Sequence, residues 1–152
     1  RPIIDGEPAI MDARIFADGP MGIRPELLDV PLPERLSYDA AQNLFFLDFS
    51  GLNVRSADDI RRIEAAVDAA LDPVGHKVNA IVNYDRFNIS PELVDAYIDM
   101  VKGVVERHYH DVTRYTASTF LRMKLGEALA KRQIAPKISG TEAEAKAELA
   151  KP

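Results

Sequence analysis

The sequence predicts an α/β domain with a four-stranded mixed sheet, the element order ββαβαβα and helices mainly on one face. Three observations support this prediction. A pair of strand-like segments opens the domain, strand and helix periodicities then alternate, and the 152-residue chain has the length of one domain. Because strand–helix–strand crossovers are right-handed, both major helices should cover the same face of the sheet. We expect the other face to be free for the N-terminal segment or a partner.

Residues 1–33 are expected to form an extended apolar arm, ahead of an α/β domain at 34–135 and a C-terminal tail at 136–152. The arm contains six of the chain's ten prolines and three of its eight glycines. Proline removes a backbone donor and fixes φ, which argues against long regular elements. The arm also carries apolar side chains, among them Ile10 and Leu27, so it is suited to lie across its own domain or to dock on another.

The first strands are predicted at residues 36–38 and 44–49, where aromatic and aliphatic residues flank a polar turn sequence as in a β-hairpin. Ser56 follows, with Asp59 three residues later, a variant of the capping box that marks a helix N-terminus. Apolar residues then recur at helical spacing, which predicts a helix over Ala57–Leu71. The proline and glycine that come next should end this helix.

Residues 77–84 are short and continuously apolar at their centre, which is typical of a strand buried on both faces and predicts a central position in the sheet. Ser90 and Pro91 supply a helix N-cap and a favoured first helical residue. The apolar stripe from there to His108 predicts a long helix. Tyr97 on this stripe is expected to be half-buried, with a solvated hydroxyl.

Residues 111–115 are predicted to be a third strand of the parallel type. Thr141 and Glu144 form a capping box for a short alanine- and glutamate-rich helix in the tail, which would be marginal in isolation. Between these two segments lies another apolar stripe at helical spacing, which predicts a helix. Its members are Phe120, Leu121, Leu125, Ala128 and Leu129.

The composition limits the classes of partner. The 24 acidic and 19 basic residues are mixed along the chain and give a net charge of -5, so we expect no nucleic-acid partner. The longest apolar runs fall far short of the roughly 20 residues that span a bilayer, and we expect no membrane association. The absence of cysteine excludes disulfides, thiolate metal sites and a cysteine nucleophile. It also fits a reducing compartment, so the expected location is cytoplasmic.

No catalytic residue, metal site or cofactor is predicted. His108 and His110 are two positions apart, and neither an HExxH spacing nor a cysteine completes a ligand shell, so both are interpreted as structural. No glycine-rich phosphate loop follows a strand, and no GxSxG elbow is present. Serine, histidine and aspartate all occur, but their spacing identifies no triad.

The best candidate for a binding site is the pair of loops after the carboxyl ends of the parallel strands, where open α/β sheets bind ligands. The first loop contains Arg86. The second contains Arg114, Thr116 and Ser118, and ends at a helix N-terminus that is able to receive an anion. These four residues are the candidate contacts to an anionic ligand or a partner.

The alternative is that these loop residues only build the fold. Ser90, and Ser118 or Thr119, would then cap helices, and each loop arginine would pair with a nearby carboxylate. Asp85 would make a turn. Because caps and turns routinely use the same residue types, the sequence favours this alternative.

Three sequence blocks resemble a known family. They are PLPERLSYDAAQNLFFLDFSGLNVRSADDI, HKVNAIVNYDRFNISPELVDAYIDMV and VTRYTASTFLRMKLGEAL. These blocks resemble the C-terminal extension of bacterial acyl-CoA transferases of the propionate CoA-transferase or acyl-CoA:acetate/3-ketoacid type, over roughly residues 11–132. The segment MDARIF looks like the part of the arm that leaves the family's catalytic core.

The resemblance implies a parent enzyme that moves CoA between carboxylic acids through a glutamyl-CoA thioester, a form of covalent catalysis. In the family that glutamate lies in upstream catalytic domains, and nothing here matches it. Glu127 follows a glycine, but it lies within a predicted helix. The chain therefore resembles an accessory domain without catalytic residues. Its implied partners are the catalytic domains of the same or an associated CoA-transferase, or a second copy of the chain.

Two other functions stay open. The ββαβαβα order resembles that of STAS and SpoIIAA-like domains, which implies a regulatory partner-binding module phosphorylated at Ser90 or Ser118 near a helix N-terminus. In the other, Arg86 or Arg114 contacts a phosphate of CoA. The net acidic charge gives that third function no general support.

Overall fold

The computed structural model describes residues 31–150 as an α/β fold with a mixed sheet and four α-helices, which confirms the predicted class. The expected arm lies outside the described residues, apart from residues 31–33. None of the helices within residues 31–150 combines the length and apolar character needed to cross a membrane.

The elements follow one another as alternating strands and helices. The strands are β1 (Leu36–Asp39), β2 (Leu44–Asp48), β3 (Asn53–Val54), β4 (Val78–Asn83), β5 (Asn88–Ile89), β6 (Tyr109–Tyr115) and β7 (Ile138–Ser139). The helices are α1 (Ala57–Leu71), α2 (Val94–His108), α3 (Thr119–Lys131) and α4 (Glu142–Ala150). Three short 3-10 turns cover Leu32–Arg35, Asp72–Val74 and Pro91–Leu93.

The main sheet has five strands in the order β1-β2-β4-β6-β7, so the prediction of four strands is wrong. β1 and β2 are antiparallel, as expected for the hairpin, and the other pairs are parallel. The extra strand, β7, pairs only Ile138 and Ser139 with β6. β3 and β5 form a separate parallel pair, and each of these strands is also two residues long. Two-residue strands are too short to carry an alternating pattern, so the sequence did not reveal them.

One face of the sheet carries the principal core. Phe45 and Leu47 of β2 and Ala80 and Val82 of β4 point to this face, where α1, α2 and α3 supply the opposing apolar side chains. Alternate residues of a strand lie on opposite faces, which explains this spacing of two. The helical contributors are Ile60, Ile63, Val67, Leu71, Tyr97, Ile98, Val101, Val104, Leu125, Ala128 and Leu129.

The far face of the sheet is partly covered by α4. Ala145 of this helix is fully buried against Leu44 and Ile81, and the hydroxyl of Thr113 donates a hydrogen bond to the Ala145 carbonyl oxygen at 3.0 Å. Phe46 is half-buried beside this contact. A segment of the tail therefore occupies part of the face that the sequence left to the arm or a partner.

Helix α1 has the predicted bounds, and its N-terminus is capped as the sequence indicated. The Ser56 hydroxyl accepts a hydrogen bond from the Asp59 amide, and the Asp59 carboxylate accepts one from the Arg55 amide at 2.9 Å. Helix α2 begins differently, because Ser90 makes no side-chain cap. A 3-10 turn at Pro91–Leu93 precedes the helix, and the Leu93 amide donates to the Ser90 carbonyl.

A cluster of charged side chains joins α1 to α2. Nε2 of the buried His108 lies 2.7 Å from an Asp68 carboxylate oxygen, and the Arg107 guanidinium contacts Asp68 and Glu64 at 3.1 and 3.0 Å. Partial burial acts to raise the pKa of Asp68, but hydrogen bonds from His108 and Arg107 lower it on balance. The ionised carboxylate of Asp68 is thus stabilised in the folded chain.

We expect Asp68→Asn to lower the free energy of unfolding by about 1 to 2 kcal/mol at pH 7, because a charged hydrogen-bond acceptor shared by two donors is lost. Asp58→Asn is the control, since its partners are exposed, and it should cost less than about 0.5 kcal/mol. The pKa of Asp68 is lower in the folded chain, so the contribution is present above the ordinary value of 3.8 and lost at lower pH. Urea denaturation across pH checks this; equal losses in the two variants would contradict it.

The packing of α4 gives a second expectation. Ala145→Glu should destabilise the chain by about 2 to 4 kcal/mol, because it places a charge where no side-chain volume is free. Ala147→Glu, on the exposed side of the same helix, should change stability by less than about 0.5 kcal/mol. Denaturation midpoints, together with hydrogen exchange of the α4 amides, measure both effects. If the two variants behave alike, α4 does not dock as described.

Candidate functional site

The two loops that follow the carboxyl ends of β4 and β6 lie together. The Asp85 carboxylate accepts a hydrogen bond from the Ala117 amide at 2.7 Å, and the Tyr84 amide donates to the Tyr115 carbonyl at 2.9 Å. The Gly51 amide donates to the Asp85 carbonyl, which attaches the segment after β2 as well. The predicted convergence of these loops is confirmed.

These loops border a surface groove of about 530 Å³, which we call the loop groove. β5 and the start of α2 form one wall, and the first turns of α3 form the other. Its volume lies in the range of small-molecule sites. The residues that line it are Asn53, Arg86, Phe87, Asn88, Ile89, Pro91, Val94, Ser118, Phe120, Leu121 and Lys124.

Arg86 is the exposed basic residue of the first loop. Its φ is 57°, in the left-handed region that residues other than glycine seldom adopt. The Phe87 amide donates to the Tyr84 carbonyl across this turn. Within residues 31–150 no hydrogen bond or ion pair holds the Arg86 guanidinium, so the expected pairing with a carboxylate is not found. A strained, exposed turn that presents a free guanidinium is suited to a contact with a negatively charged group.

Ser118 and Thr116 build the turn into α3. The Ser118 hydroxyl accepts a hydrogen bond from the Leu121 amide at 3.0 Å, which confirms its reading as a helix cap. The buried Thr116 hydroxyl accepts one from the Ser118 amide at 3.2 Å, and the Arg122 guanidinium donates to the Thr116 carbonyl at 2.6 Å. Thr116 therefore supports the loop from inside, whereas the exposed Ser118 lines the loop groove.

Arg114 is not part of the loop groove. It lies within β6 and is only 2% exposed, on the same face as Val112, beneath α1 and α2. Thr113 and Tyr115 point to the far face. The expectation that the two loop arginines act together is therefore wrong, and the two-residue period that starts at Val112 was the signal that places Arg114 inside.

Four aromatic rings separate the loop groove from the interior. Phe87 lies 4.8 Å from the ring of Tyr84 and 5.5 Å from that of Tyr97, and Phe49 stacks at 6.4 Å from Phe87. The hydroxyls of Tyr84 and Tyr97 are 2.8 Å apart. Tyr97 is thus fully buried, and its hydroxyl is bonded to another side chain rather than solvated as expected. Burial raises the pKa of both tyrosines, so both hydroxyls keep their protons.

Two large apolar side chains of α3 are exposed to solvent. Phe120 is 67% exposed and Met123 is 52% exposed. The inclusion of Phe120 in the buried stripe is therefore wrong. Residues four and seven positions further along the helix are Lys124 and Glu127, both exposed, which is the signal that Phe120 faces outward. Phe120 lines the loop groove, so an exposed aromatic ring lies along the same groove as Arg86.

The far-face side of the carboxyl end of the sheet, around Tyr115, is acidic. Partial burial, and then the negative charges of Glu142, Asp48 and Asp85, raise the pKa of Tyr115 to about 12. Asp48 also accepts hydrogen bonds from the amide and hydroxyl of Ser50. The carboxyl end of the sheet thus carries positive charge in the loop groove and negative charge toward the far face.

His108 has a structural environment. Oxygens of Asp68 and Asp72 and Nε2 of His108 lie within 4.8 Å of one another, but Asp68 already bonds Arg107 and His108. An arginine that shares the carboxylate opposes the binding of a cation there. His110 is exposed on β6.

Comparisons with protein-family models, with curated proteins and with solved structures found no match to the chain. What the loop groove is suited to bind therefore follows from its own side chains. It offers the exposed guanidinium of Arg86, the ammonium of Lys124 and the exposed ring of Phe120. This combination suits a partner surface with carboxylates beside an apolar patch.

The hydrogen bond between Asp85 and Ala117 should hold the two loops in register. We expect Asp85→Ala to speed hydrogen exchange at the Ala117 amide by about tenfold or more, since its acceptor is lost, with a stability change of about 0.5 to 1.5 kcal/mol. Asp85→Asn keeps an acceptor oxygen, so the exchange rate of the Ala117 amide in this variant should lie between the rates of the unaltered chain and of Asp85→Ala. Amide exchange followed by NMR measures this, and unchanged exchange in Asp85→Ala would show that the loops converge without this bond.

Proposed function

We propose that the chain is an accessory C-terminal domain of an acyl-CoA:carboxylate CoA-transferase, with an interaction role and no catalysis of its own. The observation that carries the proposal is the exposed ring of Phe120 along the loop groove, on the same surface as the exposed guanidinium of Arg86. An aromatic anchor beside an arginine is the usual composition of an interface hot spot. The resemblance of the three sequence blocks supplies the identity of the partner, which is the catalytic region of the transferase.

The lack of a catalytic constellation supports the same proposal. Within residues 31–150, the carboxylates close to a histidine are Asp68 and Asp72, and they meet the buried His108 at the junction of α1 and α2. The hydroxyls of Ser118 and Thr116 are used in the turn into α3. No described nucleophile is placed beside a general base at the loop groove, whereas covalent acyl transfer requires one.

The groove also fits the charge of such a partner. Arg86 and Lys124 give it a positive character in a chain whose net charge is -5. A partner that presents a carboxylate to Arg86 and an apolar pocket to Phe120 would bury both, and desolvation strengthens the charged hydrogen bonds. The acidic cluster around Tyr115 would repel the same partner from the far side of the loop end.

A STAS-like regulatory module is the alternative function, and the position of Ser118 favours it. Its exposed hydroxyl caps the N-terminus of the 13-residue helix α3. A phosphate there would gain from the helix dipole and lies along the same groove as Arg86. Ser90, the other candidate, is half-buried and makes no cap, so it receives no such support. Modification of Ser118 in the protein isolated from cells, found by mass spectrometry, would favour this alternative.

The test of the main proposal is a calorimetric titration of the chain with the catalytic region of such a CoA-transferase from the same source. We expect saturable binding that Phe120→Asp weakens by about 30-fold or more, the size of a hot-spot loss. Ala65→Asp, an exposed change of the same charge on α1, is the control and should bind normally.

An assay of CoA transfer between acetyl-CoA and propionate completes the test. The chain alone should show no turnover. Turnover by the chain alone would contradict the absence of catalysis. Equal binding by Phe120→Asp and the control, or no binding by the unaltered chain, would contradict the docking role.

A further inference from the structure

A second surface groove lies where the described part of the chain begins, and we call it the entry groove. Its volume is about 560 Å³. It is bordered by the 3-10 turn at Leu32–Arg35, by the segment that follows β2 and by the first half of α1. The residues that line it are Pro31, Leu32, Pro33, Leu52, Asn53, Arg55, Asp59, Arg62, Ile63 and Ala66. Of these, Asn53 alone also lines the loop groove, so the two surfaces are largely distinct.

The entry groove offers an apolar surface that is incompletely covered. Ile63 is buried, whereas Leu32, Leu52 and Ala66 are only half-buried. Apolar side chains that line a groove gain free energy when another apolar group displaces the water in contact with them. The groove therefore favours an apolar occupant.

One charge at the edge of the entry groove is not compensated. The Asp59 carboxylate accepts a hydrogen bond from the Arg55 amide at 2.9 Å and pairs with the Arg62 guanidinium, so its own charge is matched. The guanidinium of Arg55 is different, because within residues 31–150 no hydrogen bond or ion pair involves it. An occupant that carries one carboxylate beside its apolar groups would supply the missing charge.

The chain itself enters the described structure at this groove. Pro31 lines the groove with an extended backbone, at φ -60° and ψ 141°. The turn after it is held in place, because the Glu34 amide donates to the Pro31 carbonyl and the buried Arg35 guanidinium donates to the carbonyl oxygens of Asp48 and Ser50 at 3.0 and 2.9 Å. The residue bonded to Pro31 therefore starts beside the groove, and a residue that precedes proline favours an extended backbone.

The residues just before Pro31 have the chemistry that the entry groove requires. Residues 26–30, which lie outside the described residues, read Glu-Leu-Leu-Asp-Val. Alternate side chains of an extended chain share one side, which groups Val30, Leu28 and Glu26 and places Leu27 and Asp29 opposite them. The first group consists of two apolar side chains followed by a carboxylate.

The covalent connection favours this segment over other occupants. Because Pro31 attaches it directly to the groove, its effective concentration there is in the millimolar range, which a free peptide or a second copy of the chain would not reach at ordinary protein concentrations. Pro25, Pro31 and Pro33 also restrict the backbone of this segment, and this lowers the conformational entropy that is lost on ordering it.

We propose that residues 26–30 occupy the entry groove of their own chain in an extended conformation. Leu28 and Val30 pack against Leu52 and Ala66, and Glu26 pairs with the guanidinium of Arg55. The segment thereby covers apolar surface of α1 and fixes the direction in which the N-terminal arm leaves the domain. The proposal does not depend on the function proposed above, because it concerns a contact of the chain with itself.

The first test is nuclear Overhauser spectroscopy of the whole chain with labelled methyl groups. We expect contacts from Leu28 and Val30 to Leu52 and Ala66, and none from Leu27. A mixture of labelled and unlabelled chains distinguishes contacts within one chain from contacts between two copies. The absence of these contacts, their presence only between copies, or contacts from Leu27 in place of Leu28 would overturn the proposal.

Thermal unfolding of two matched variants measures the apolar contribution. Leu28→Asp should lower Tm by about 3 to 6 °C, because it removes apolar burial and places a charge in the groove. Leu27→Asp, the same change on the opposite side of the segment, should lower Tm by less than about 1 °C. Equal shifts in the two variants would show that the segment is not docked by this side.

The charge pair is tested by reversal. At low ionic strength, Glu26→Lys and Arg55→Glu should each lower Tm by about 1 to 2 °C, and the double variant should regain most of the loss. Asp29→Lys is the control, and its effect should be the same with and without Arg55→Glu. Losses that simply add in the double variant would overturn the pairing of Glu26 with Arg55.

Discussion

The alternation of side chains along β4 and β6 is the constraint on which the rest of this structure depends. Along β4, Val78, Ala80 and Val82 face α1 and α2, while Ile81 faces α4. Parallel pairing transfers the same phase to β6, because Ile81 is in register with Thr113. A shift of one residue in β6 would turn Arg114 toward the far face and would place Thr113 among the helices. Register therefore decides that the arginine is inside.

The same constraint separates two kinds of polar chemistry. Inside the core, the Arg114 guanidinium and the hydroxyls of Tyr84 and Tyr97 are polar groups surrounded by apolar side chains. At the surface, the loop after β4 carries Arg86, and the loop after β6 leads into α3, which carries Phe120. The aromatic rings of Phe87 and Tyr84 lie between the two regions. No residue lines both the loop groove and the interior cavity beside Arg114.

Much of the fold could be predicted from the sequence, and the failures have physical causes. The bounds of α1 were correct because a cap at Ser56 and a turn at Gly75, whose φ is 78°, define both ends. The hairpin and the central position of β4 were also correct. β7 was missed because two residues carry no period. The docking of α4 depends on Ala145, whose small side chain gives little hydrophobic signal but permits close approach to the sheet.

The candidate site was predicted only in outline. The convergence of two loops followed from parallel strands, and it was correct. Arg114 lies inside the predicted strand of residues 111–115 as well as the observed one, but its charge favours a place in the following loop, because charged residues are almost never fully buried without a partner. The helical spacing includes Phe120 in the apolar stripe of α3, because an aromatic residue next to such a stripe is usually part of it, yet its ring is exposed. For both residues, the position within the strand or helix decides whether the side chain is buried, and the polarity of the side chain does not.

The most direct measurement for the central claim is hydrogen exchange of this chain, alone and bound to the catalytic region of a CoA-transferase. The account predicts protection on binding at residues 86–89 and 118–124, with the α1 amides unchanged. Protection confined to α1 or to the far face, with the loop groove exchanging as in the free chain, would contradict it.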